Sequence, residues 1–107
     1  MSFVKYEPQG NIAYLIIDRE KALNALNSQV LADLDAALDA IDMNTVRCVI
    51  VRGAGEKSFV AGADIAQMKG LSKAEAEQFG KQGNDVMRRL EALPIPTIAA
   101  VGGYALG

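Results

Sequence analysis

Histidine is absent from the sequence, and cysteine occurs once, as Cys48. Without histidine, the chain cannot form a Ser-His or Cys-His catalytic dyad of its own, and most zinc sites are excluded as well. A single cysteine also excludes an internal disulfide. Because Cys48 lies in the apolar run 46–51, we predict that its thiol is buried and unreactive.

Blocks of like charge and long apolar runs are missing too. The net charge is −2 and no run of basic residues occurs, which argues against a nucleic-acid surface. No apolar run approaches the length of a membrane span, and residues 1–7 have neither a signal-peptide core nor an Arg-rich amphipathic character. We therefore expect a cytoplasmic protein without a nucleic-acid or membrane partner.

The residues that are present predict one small globular domain with a modest core. Of the 107 residues, 50% are hydrophobic and 22% are charged. Two apolar strands are predicted over residues 3–6 and 12–18. The turn-forming residues at 8–11 join them into a hairpin, and both faces of the second strand are apolar, which predicts that it is covered on both sides.

A helix and a third strand follow the predicted hairpin. Apolar residues at helical spacing predict an amphipathic helix over residues 30–41, capped by Asn27 or Ser28. The apolar run at 47–52 predicts a strand, so the order strand, helix, strand indicates an α/β fold. We interpret the acidic face of this helix as solvated, in preference to a metal or acid/base cluster. It consists of Asp33, Asp35, Asp39 and Asp42.

The second half of the chain contains two predicted helices and a strand. A short helix is predicted over residues 64–68, and a capping box formed by Ser72 and Glu75 begins a helix that runs to about residue 93. The glycines inside this long helix are expected to allow close packing on a neighbouring backbone. A short buried strand is predicted over residues 97–101. The predicted buried face of the long helix consists of Phe79, Gly83, Val86, Met87 and Leu90.

Residues 53–58 have some features of a phosphate-binding loop. A predicted strand leads into the loop, glycines open it, and a Lys-Ser pair closes it. However, a phosphate loop requires glycine directly before Lys-Ser, and Glu56 occupies that position. The loop also leads into Phe59 instead of a helix N-terminus. A nucleotide binder is therefore the weaker of the functional hypotheses.

Three small residues, Ala61, Gly62 and Ala63, follow this loop in a row. No bulky side chain there keeps a ligand from the backbone, so exposed N–H groups could bind a developing negative charge. Small residues also allow a loop to pack closely on a neighbouring element. The residues alone leave both interpretations open.

Three blocks of sequence together resemble the crotonase family, which comprises enoyl-CoA hydratases and their isomerase relatives. The blocks are residues 21–26, residues 53–65, and residues 98–101 with 103–107. The match is nearest to bacterial short-chain members. The resemblance implies an α/β spiral of repeated ββα turns. Because the chain stops in a buried-looking strand and a glycine-rich turn, we expect residues 1–107 to be the N-terminal part, about two turns, of such a domain.

The resemblance also implies a coenzyme A thioester site. Ala63 matches the position whose backbone N–H forms half of an oxyanion hole, and the other half would follow Gly107. Lys21 would contact a phosphate, although a solvated lysine fits equally well. No metal and no cofactor are implied, since the coenzyme A thioester is the substrate. The matched substrate-binding positions are Lys21, Ala22, Leu23, Ala61, Ala63, Asp64, Ile65, Ala66 and Gly107.

The implied reaction is the addition of water to a short-chain enoyl-CoA, as a lyase of fatty-acid or butanoate-type metabolism. The family's two catalytic glutamates match positions after Gly107, so none of the present glutamates receives an acid/base role. We therefore expect no hydratase activity from these 107 residues alone. The full-length family forms trimers or hexamers, so a homo-oligomer is implied. An enoyl-CoA isomerase and a non-catalytic acyl-CoA-binding or assembly protein remain as alternatives.

Overall fold

The computed structural model describes residues 2–106. Gly107, a predicted substrate-binding residue, lies outside them. The strands are β1 (Val4–Gln9), β2 (Ile12–Ile17), β3 (Cys48–Gly53), β4 (Ser58–Val60), β5 (Thr97–Ala99) and β6 (Tyr104–Ala105). The α-helices are α1 (Ser28–Asp39), α2 (Ile65–Lys69) and α3 (Lys73–Glu91), and one turn of 3-10 helix spans Glu20–Ala22.

Four strands form the main sheet in the order β1-β2-β3-β5. β1 and β2 are antiparallel, whereas β2, β3 and β5 are parallel. Helix α1 connects β2 to β3, so the predicted βαβ unit is confirmed. β4 and β6 form a separate two-stranded parallel sheet, which no sequence pattern predicted.

The predicted hairpin is confirmed, but its turn is shorter than predicted. Only Gly10 and Asn11 form the turn, and Gly10 has the positive φ of +60° that favours glycine there. Pro8 lies inside β1 and is paired with Ala13. β1 is the edge of the sheet, so N–H groups on its outer side have no strand partner, and an edge strand therefore tolerates proline.

Helix α1 covers one face of the main sheet and supplies much of the core. Asn27 caps it by accepting a hydrogen bond from Val30 N–H at 2.8 Å. Burying each leucine or valine of this kind stabilises a fold by about 2 kcal/mol relative to leaving it exposed. The core consists of Val4, Ala13, Leu15, Ile17, Val30, Leu31, Leu34, Ala37, Leu38, Ile41, Val46, Val49, Val51 and Val86.

The acidic face of α1 holds other elements in place, which the sequence did not predict. Asp35 accepts a hydrogen bond from Arg89 of α3 at 2.7 Å, and Asp39 pairs with the same guanidinium group. Asp33 is half-buried and accepts from Phe3 N–H at 2.8 Å. Within residues 2–106 no group of acidic or cysteine side chains could hold a metal ion. Asp35, Asp39 and Asp42 are exposed as predicted, and Asp33 alone is half-buried. The sequence did not predict that Asp35 and Asp39 also bind Arg89.

Helix α3 begins at the predicted capping box between Ser72 and Glu75. Its predicted face is the one that packs on the core, since Val86 is buried and Phe79 and Leu90 are partly buried against it, but the prediction is wrong for Met87, which is 40% exposed. The reason is that α3 packs mainly along α1, so only a narrow strip of the helix is covered. The other predicted residues of that face, Phe79, Gly83 and Leu90, are partly buried at most.

Close packing does not explain the glycines of α3. A Cβ atom built on Gly80 would meet nothing within 4 Å, and one on Gly83 would lie 3.8 Å from Leu31 Cδ1, an ordinary contact. We therefore expect Gly80→Ala to raise the free energy of unfolding by about 1 kcal/mol, since alanine lowers the entropy cost of forming a helix. Urea unfolding followed by circular dichroism measures this change. An unchanged or lower stability would contradict the open environment of Gly80.

Two burial predictions are wrong at the start of β3 and at β5. Cys48 is half-buried because it begins its strand at the end of the sheet. All three residues of β5 are exposed, and Ile98 is 51% exposed. β5 is the edge strand of the main sheet and pairs with β3 on one side. None of the helices in the part of the chain that the structure describes is long and apolar enough to cross a bilayer.

Candidate functional site

The segments 23–26 and 61–64, far apart in sequence, lie side by side. Ala61 N–H donates to Leu23 C=O at 3.1 Å. Leu26 N–H donates to Gly62 C=O, and Asp64 N–H donates to Leu26 C=O, both at 2.8 Å. The fold therefore brings two of the three resemblance blocks into direct contact through the backbone.

This pairing determines where the backbone N–H of Ala63 points. Leu26 and Ala63 form an isolated parallel bridge in which Leu26 makes both hydrogen bonds, to the residues on either side of Ala63. The N–H and C=O groups of Ala63 itself consequently point away from Leu26. Ala63 is exposed, and its N–H has no acceptor among residues 2–106. It is therefore a donor available to a ligand.

Gly62 shapes the backbone immediately before this donor. It is buried and has a φ of +118°, a conformation that side chains with a Cβ rarely adopt. The small residues at 61–63 therefore combine both interpretations that the sequence left open. Gly62 provides close packing and an unusual backbone turn, and Ala63 provides the exposed N–H group.

The segment beside Ala63 contains two consecutive left-handed residues. Leu23 has φ of +53° and Asn24 has φ of +58°. For a residue other than glycine this conformation costs about 1–2 kcal/mol, so the surrounding contacts must hold it. Leu23 N–H donates to Glu20 C=O at 3.0 Å, which ends the 3-10 turn.

The side chain of Asn24 supplies part of that support. It is 1% exposed, and its Oδ1 accepts from Arg19 N–H at 2.8 Å. Its Nδ2 donates to Ala54 C=O at 3.2 Å and to Ser58 C=O at 3.0 Å. Asn24 therefore joins the 19–24 loop to both ends of the 54–58 loop. Sequence reasoning missed this role, and the only signal was one amide within an apolar link.

Ser58 and β6 bring the third resemblance block to the same place. Ser58 Oγ donates to Leu23 C=O at 2.7 Å and lies 3.3 Å from Tyr104 C=O. Tyr104 N–H donates to Lys57 C=O at 3.2 Å. A Cβ on Gly103 would lie 2.4 Å from Lys57 O, so only glycine fits where these strands meet.

These contacts also decide against a phosphate loop at 53–58. The loop connects β3 to β4 and does not lead into a helix N-terminus. Its serine hydroxyl is occupied by Leu23 C=O, and Gly53 packs against the carbonyl groups of Ser58 and Phe59. The loop is a tight connection between two strands, and its glycine at 53 serves packing.

Arg19 and Asp64 form a half-buried ion pair that holds the start of α2. Arg19 Nη1 lies 2.8 Å from Asp64 Oδ2, and the side chains are 20% and 14% exposed. Asp64 Oδ1 accepts from Ala66 N–H and Gln67 N–H, which makes it the N-cap of α2. The hydrogen bond from Arg19, followed by that from Gln67, lowers the pKa of Asp64 below its ordinary value. The guanidinium group of Arg19 also lies 5.6 Å from the ring centre of Phe3.

The lowered pKa of Asp64 predicts how stability depends on pH. Since the folded pKa lies below the unfolded one, the ion pair contributes fully above about pH 4, and its contribution is lost as pH falls through the folded pKa. Asp64→Asn retains a capping oxygen but removes the charge. At pH 7 we expect it to unfold about 2 kcal/mol more easily than wild type. Urea unfolding at pH 7, 5 and 3 should show this difference persisting at pH 5 and shrinking at pH 3. A difference that does not change with pH would contradict the ion pair.

The remaining predicted site residues, on segments 21–23 and 61–66, differ in how exposed they are. Lys21 is exposed in the 3-10 turn, and Ala22 beside it is half-buried. Ile65, at the start of α2, is 69% exposed, and Ala66 is exposed as well. The structure thus places the predicted residues on two adjoining segments, 21–23 and 61–66. Gly107 lies outside the described residues.

An apolar cleft of about 670 Å³ lies between the sheet, β4 and α3. None of residues 61–66 lines it, but Leu26, the bridge partner of Ala63, does, so the cleft adjoins the predicted thioester site. Its lining includes Leu34, Phe59, Val60, Met87, Leu90 and Ala105.

The chain resembles enoyl-CoA hydratases in sequence and in structure. The sequence model of the family described as enoyl-CoA hydratase/isomerase matches residues 7–107. The chain is 53% identical over 102 residues to a short-chain-enoyl-CoA hydratase of Clostridium acetobutylicum, and 49% identical over 102 residues to a crotonyl-CoA hydratase of Syntrophomonas wolfei. These alignments cover 94% of this chain and 39% of each relative.

A solved structure shares the same fold. The crystal structure of an enoyl-CoA hydratase from Thermoplasma volcanium superposes with a TM-score of 0.91 at 31% sequence identity, covering 97% of this chain and 42% of that one. The α/β fold predicted from the resemblance is therefore confirmed. The chain spans about 39% of the length of the two curated relatives.

Proposed function

Because the chain belongs to the enoyl-CoA hydratase/isomerase family, we propose that it forms the thioester-binding part of an enoyl-CoA hydratase. Such a lyase adds water across the α,β double bond of a short-chain enoyl-CoA in fatty-acid or butanoate-type metabolism. The observation that supports this most strongly is the N–H of Ala63, which is exposed and has no acceptor among residues 2–106. The names of the two relatives, a short-chain-enoyl-CoA hydratase and a crotonyl-CoA hydratase, support the choice of substrate class.

The proposed chemistry requires a hydrogen-bond donor at this position. When water attacks the β-carbon of an enoyl thioester, negative charge moves onto the thioester oxygen. A fixed backbone N–H that points at this oxygen stabilises the enolate, and removing one such donor from a comparable site costs about 3–4 kcal/mol of barrier. We propose Ala63 N–H as one donor, and the residue after Gly107 as the position of the second.

We propose that the coenzyme A moiety lies along the two adjoining segments 21–23 and 61–66. Leu23 and Ala61 are linked by a backbone hydrogen bond, so a ligand that contacts one segment also reaches the other. Lys21 is exposed and free to contact a phosphate group. The proposed contact residues are Lys21, Ala22, Leu23, Ala61, Ala63, Asp64, Ile65, Ala66 and Gly107.

No acid/base role is assigned to a residue of this chain. Asp64, the carboxylate nearest in sequence to Ala63, is paired with Arg19 and caps α2. Glu75 caps α3. The proposal therefore includes binding of the thioester by these residues, with the catalytic carboxylates elsewhere in the enzyme. We also propose a cytoplasmic location, a homo-oligomer of trimeric or hexameric form, and no cofactor apart from the coenzyme A of the substrate.

Equilibrium binding measured by calorimetry tests the proposed function. We expect acetoacetyl-CoA to bind more tightly than free coenzyme A, because only the thioester has the oxygen that Ala63 N–H would bind. We expect coenzyme A in turn to bind more tightly than ATP, which shares its adenine nucleotide but lacks the pantetheine arm.

The two other outcomes of this titration have distinct meanings. ATP binding tighter than acetoacetyl-CoA would support the nucleotide-binding alternative at residues 53–58. Equal affinities for acetoacetyl-CoA and coenzyme A would contradict a thioester site at Ala63.

A further inference from the structure

We propose that Ser58 is a positioning residue for the Ala63 donor, an inference that rests on the proposed function. Its hydroxyl group holds the carbonyl of Leu23 where the segment 61–64 must pair with it. In that arrangement the Ala63 N–H points toward the thioester oxygen.

The Ser58 hydroxyl group is buried and has a nearby acceptor. Ser58 is 5% exposed, so its Oγ is shielded from water. A hydroxyl has one proton to donate. Ser58 Oγ donates that proton to Leu23 O, which lies 2.7 Å away. Its contact with Tyr104 O, at 3.3 Å, is weaker. Ser58 is therefore bound first of all to the segment that pairs with Ala63.

The carbonyl of Leu23 begins the pairing between segments 23–26 and 61–64. It accepts from Ser58 Oγ and from Ala61 N–H, at 2.7 and 3.1 Å, and two donors fill both of its lone pairs. The next two hydrogen bonds of the pairing, through Leu26, lie on either side of Ala63. A shift of the Leu23 carbonyl would therefore move the paired backbone segments that set the direction of Ala63 N–H.

The strands next to this pairing, β4 and β6, are short and irregular. β4 has three residues, and its register with β6 shifts between Ser58 and Val60. Irregular pairing of this kind locally disrupts the hydrogen-bond ladder. Leu23 itself is in the left-handed conformation, which needs external support. The hydroxyl of Ser58 adds a direct side-chain link from β4 to the Leu23 carbonyl, beside the backbone hydrogen bond from Ala61 and the Asn24 amide that donates to Ser58 C=O.

A variant series separates this role from a contribution to stability alone. Ser58→Ala removes the hydroxyl, and Ser58→Thr retains it. Ser72→Ala is the control, since it removes a hydroxyl that accepts from Glu75 N–H at the start of α3, at a cost of about 1 kcal/mol. If Ser58→Ala does not fold, Ser58→Cys fills the same space with a weak donor and gives the same comparison.

Two readouts are measured on the 107-residue chain. The first is the ratio of the affinities for acetoacetyl-CoA and free coenzyme A, because both ligands share every group except the acyl thioester. In Ser58→Ala we expect the affinity for acetoacetyl-CoA to fall by about tenfold, which corresponds to about 1.4 kcal/mol. The affinity for coenzyme A should stay within about twofold, and Ser58→Thr and Ser72→Ala should keep the wild-type ratio.

The second readout requires no ligand. The amide resonance of Ala63 in a ¹⁵N-labelled sample should shift in Ser58→Ala and stay in place in Ser72→Ala. An unmoved Ala63 resonance in Ser58→Ala overturns the positioning role, as does an equal loss of affinity for both ligands. A wild-type chain that binds acetoacetyl-CoA no better than coenzyme A overturns the proposed function instead, and the ligand-free spectrum still decides on Ser58.

Discussion

Replacing Gly53 by alanine is expected to destabilise the protein by about 3 kcal/mol or more. A Cβ at this position would lie 2.3 Å from Phe59 O and 2.4 Å from Ser58 O, far inside contact distance. It would also lie 2.6 Å from Asn24 Nδ2. Both carbonyl groups belong to the backbone of β4, so relief of this clash requires β3 and β4 to separate. β4 is the strand that leads to Ala63. For a domain of this size the loss corresponds to a fall in Tm of about 15 °C.

Gly102→Ala is the matched control for Gly53→Ala. It makes the same chemical change where a Cβ meets nothing within 4 Å, so we expect a change in stability within about 0.5 kcal/mol. Thermal unfolding of both variants by circular dichroism measures the difference. Equal Tm values for the two variants would contradict the close approach of β4 to Gly53.

The second large effect is expected for Asn24→Ala, with a loss of about 3–5 kcal/mol. Alanine removes all three hydrogen bonds of the buried amide and leaves Arg19 N–H and the carbonyls of Ala54 and Ser58 without this partner. Each unsatisfied buried group costs about 1–3 kcal/mol. Alanine also tolerates the φ of +58° less well than asparagine does.

Urea unfolding with two further variants separates these causes. Asn24→Gly loses the same hydrogen bonds without the backbone strain, so it should be about 1 kcal/mol less destabilising than Asn24→Ala. Asn44→Ala, at an exposed turn residue whose side chain makes no hydrogen bond to residues 2–106, should change stability by less than about 0.5 kcal/mol. A loss of less than about 1 kcal/mol for Asn24→Ala would contradict the role assigned to its amide.

The parts of the fold that could be predicted from sequence are those specified by neighbouring residues. The hairpin follows from turn residues between apolar strands. The capping box at Ser72 and a cap at Asn27 or Ser28 follow from residue type and spacing, and the structure has the cap at Asn27. The βαβ order follows from hydrophobic periodicity. Each of these signals lies within one short window of the chain.

The parts that could not be predicted depend on contacts between distant segments. The pairing of Arg89 with Asp35 joins residues 54 positions apart, and the hydrogen bond from Ser58 to Leu23 spans 35 positions. Burial of β5 was predicted from its apolar residues, but burial depends on which element covers a strand, and periodicity carries no such information.

The candidate site divides in the same way. The small residues at 61–63 allowed either close packing or an available backbone N–H, and the resemblance identified Ala63 as the position of the donor. The sequence did not indicate that Leu26 would pair on both sides of Ala63 and so turn its N–H outward. Asn24 and Ser58, which link the loops around this donor, also became apparent only from the structure.

The central claim is that Ala63 N–H binds the oxygen of an acyl thioester, and a titration followed by nuclear magnetic resonance tests it most directly. A ¹⁵N-labelled chain is titrated with acetoacetyl-CoA and, separately, with free coenzyme A. The claim predicts that the amide proton of Ala63 moves downfield with acetoacetyl-CoA and much less with coenzyme A, while resonances of residues 21–23 respond to both ligands. An Ala63 resonance that stays in place at saturating acetoacetyl-CoA, or that moves equally with both ligands, would contradict the claim.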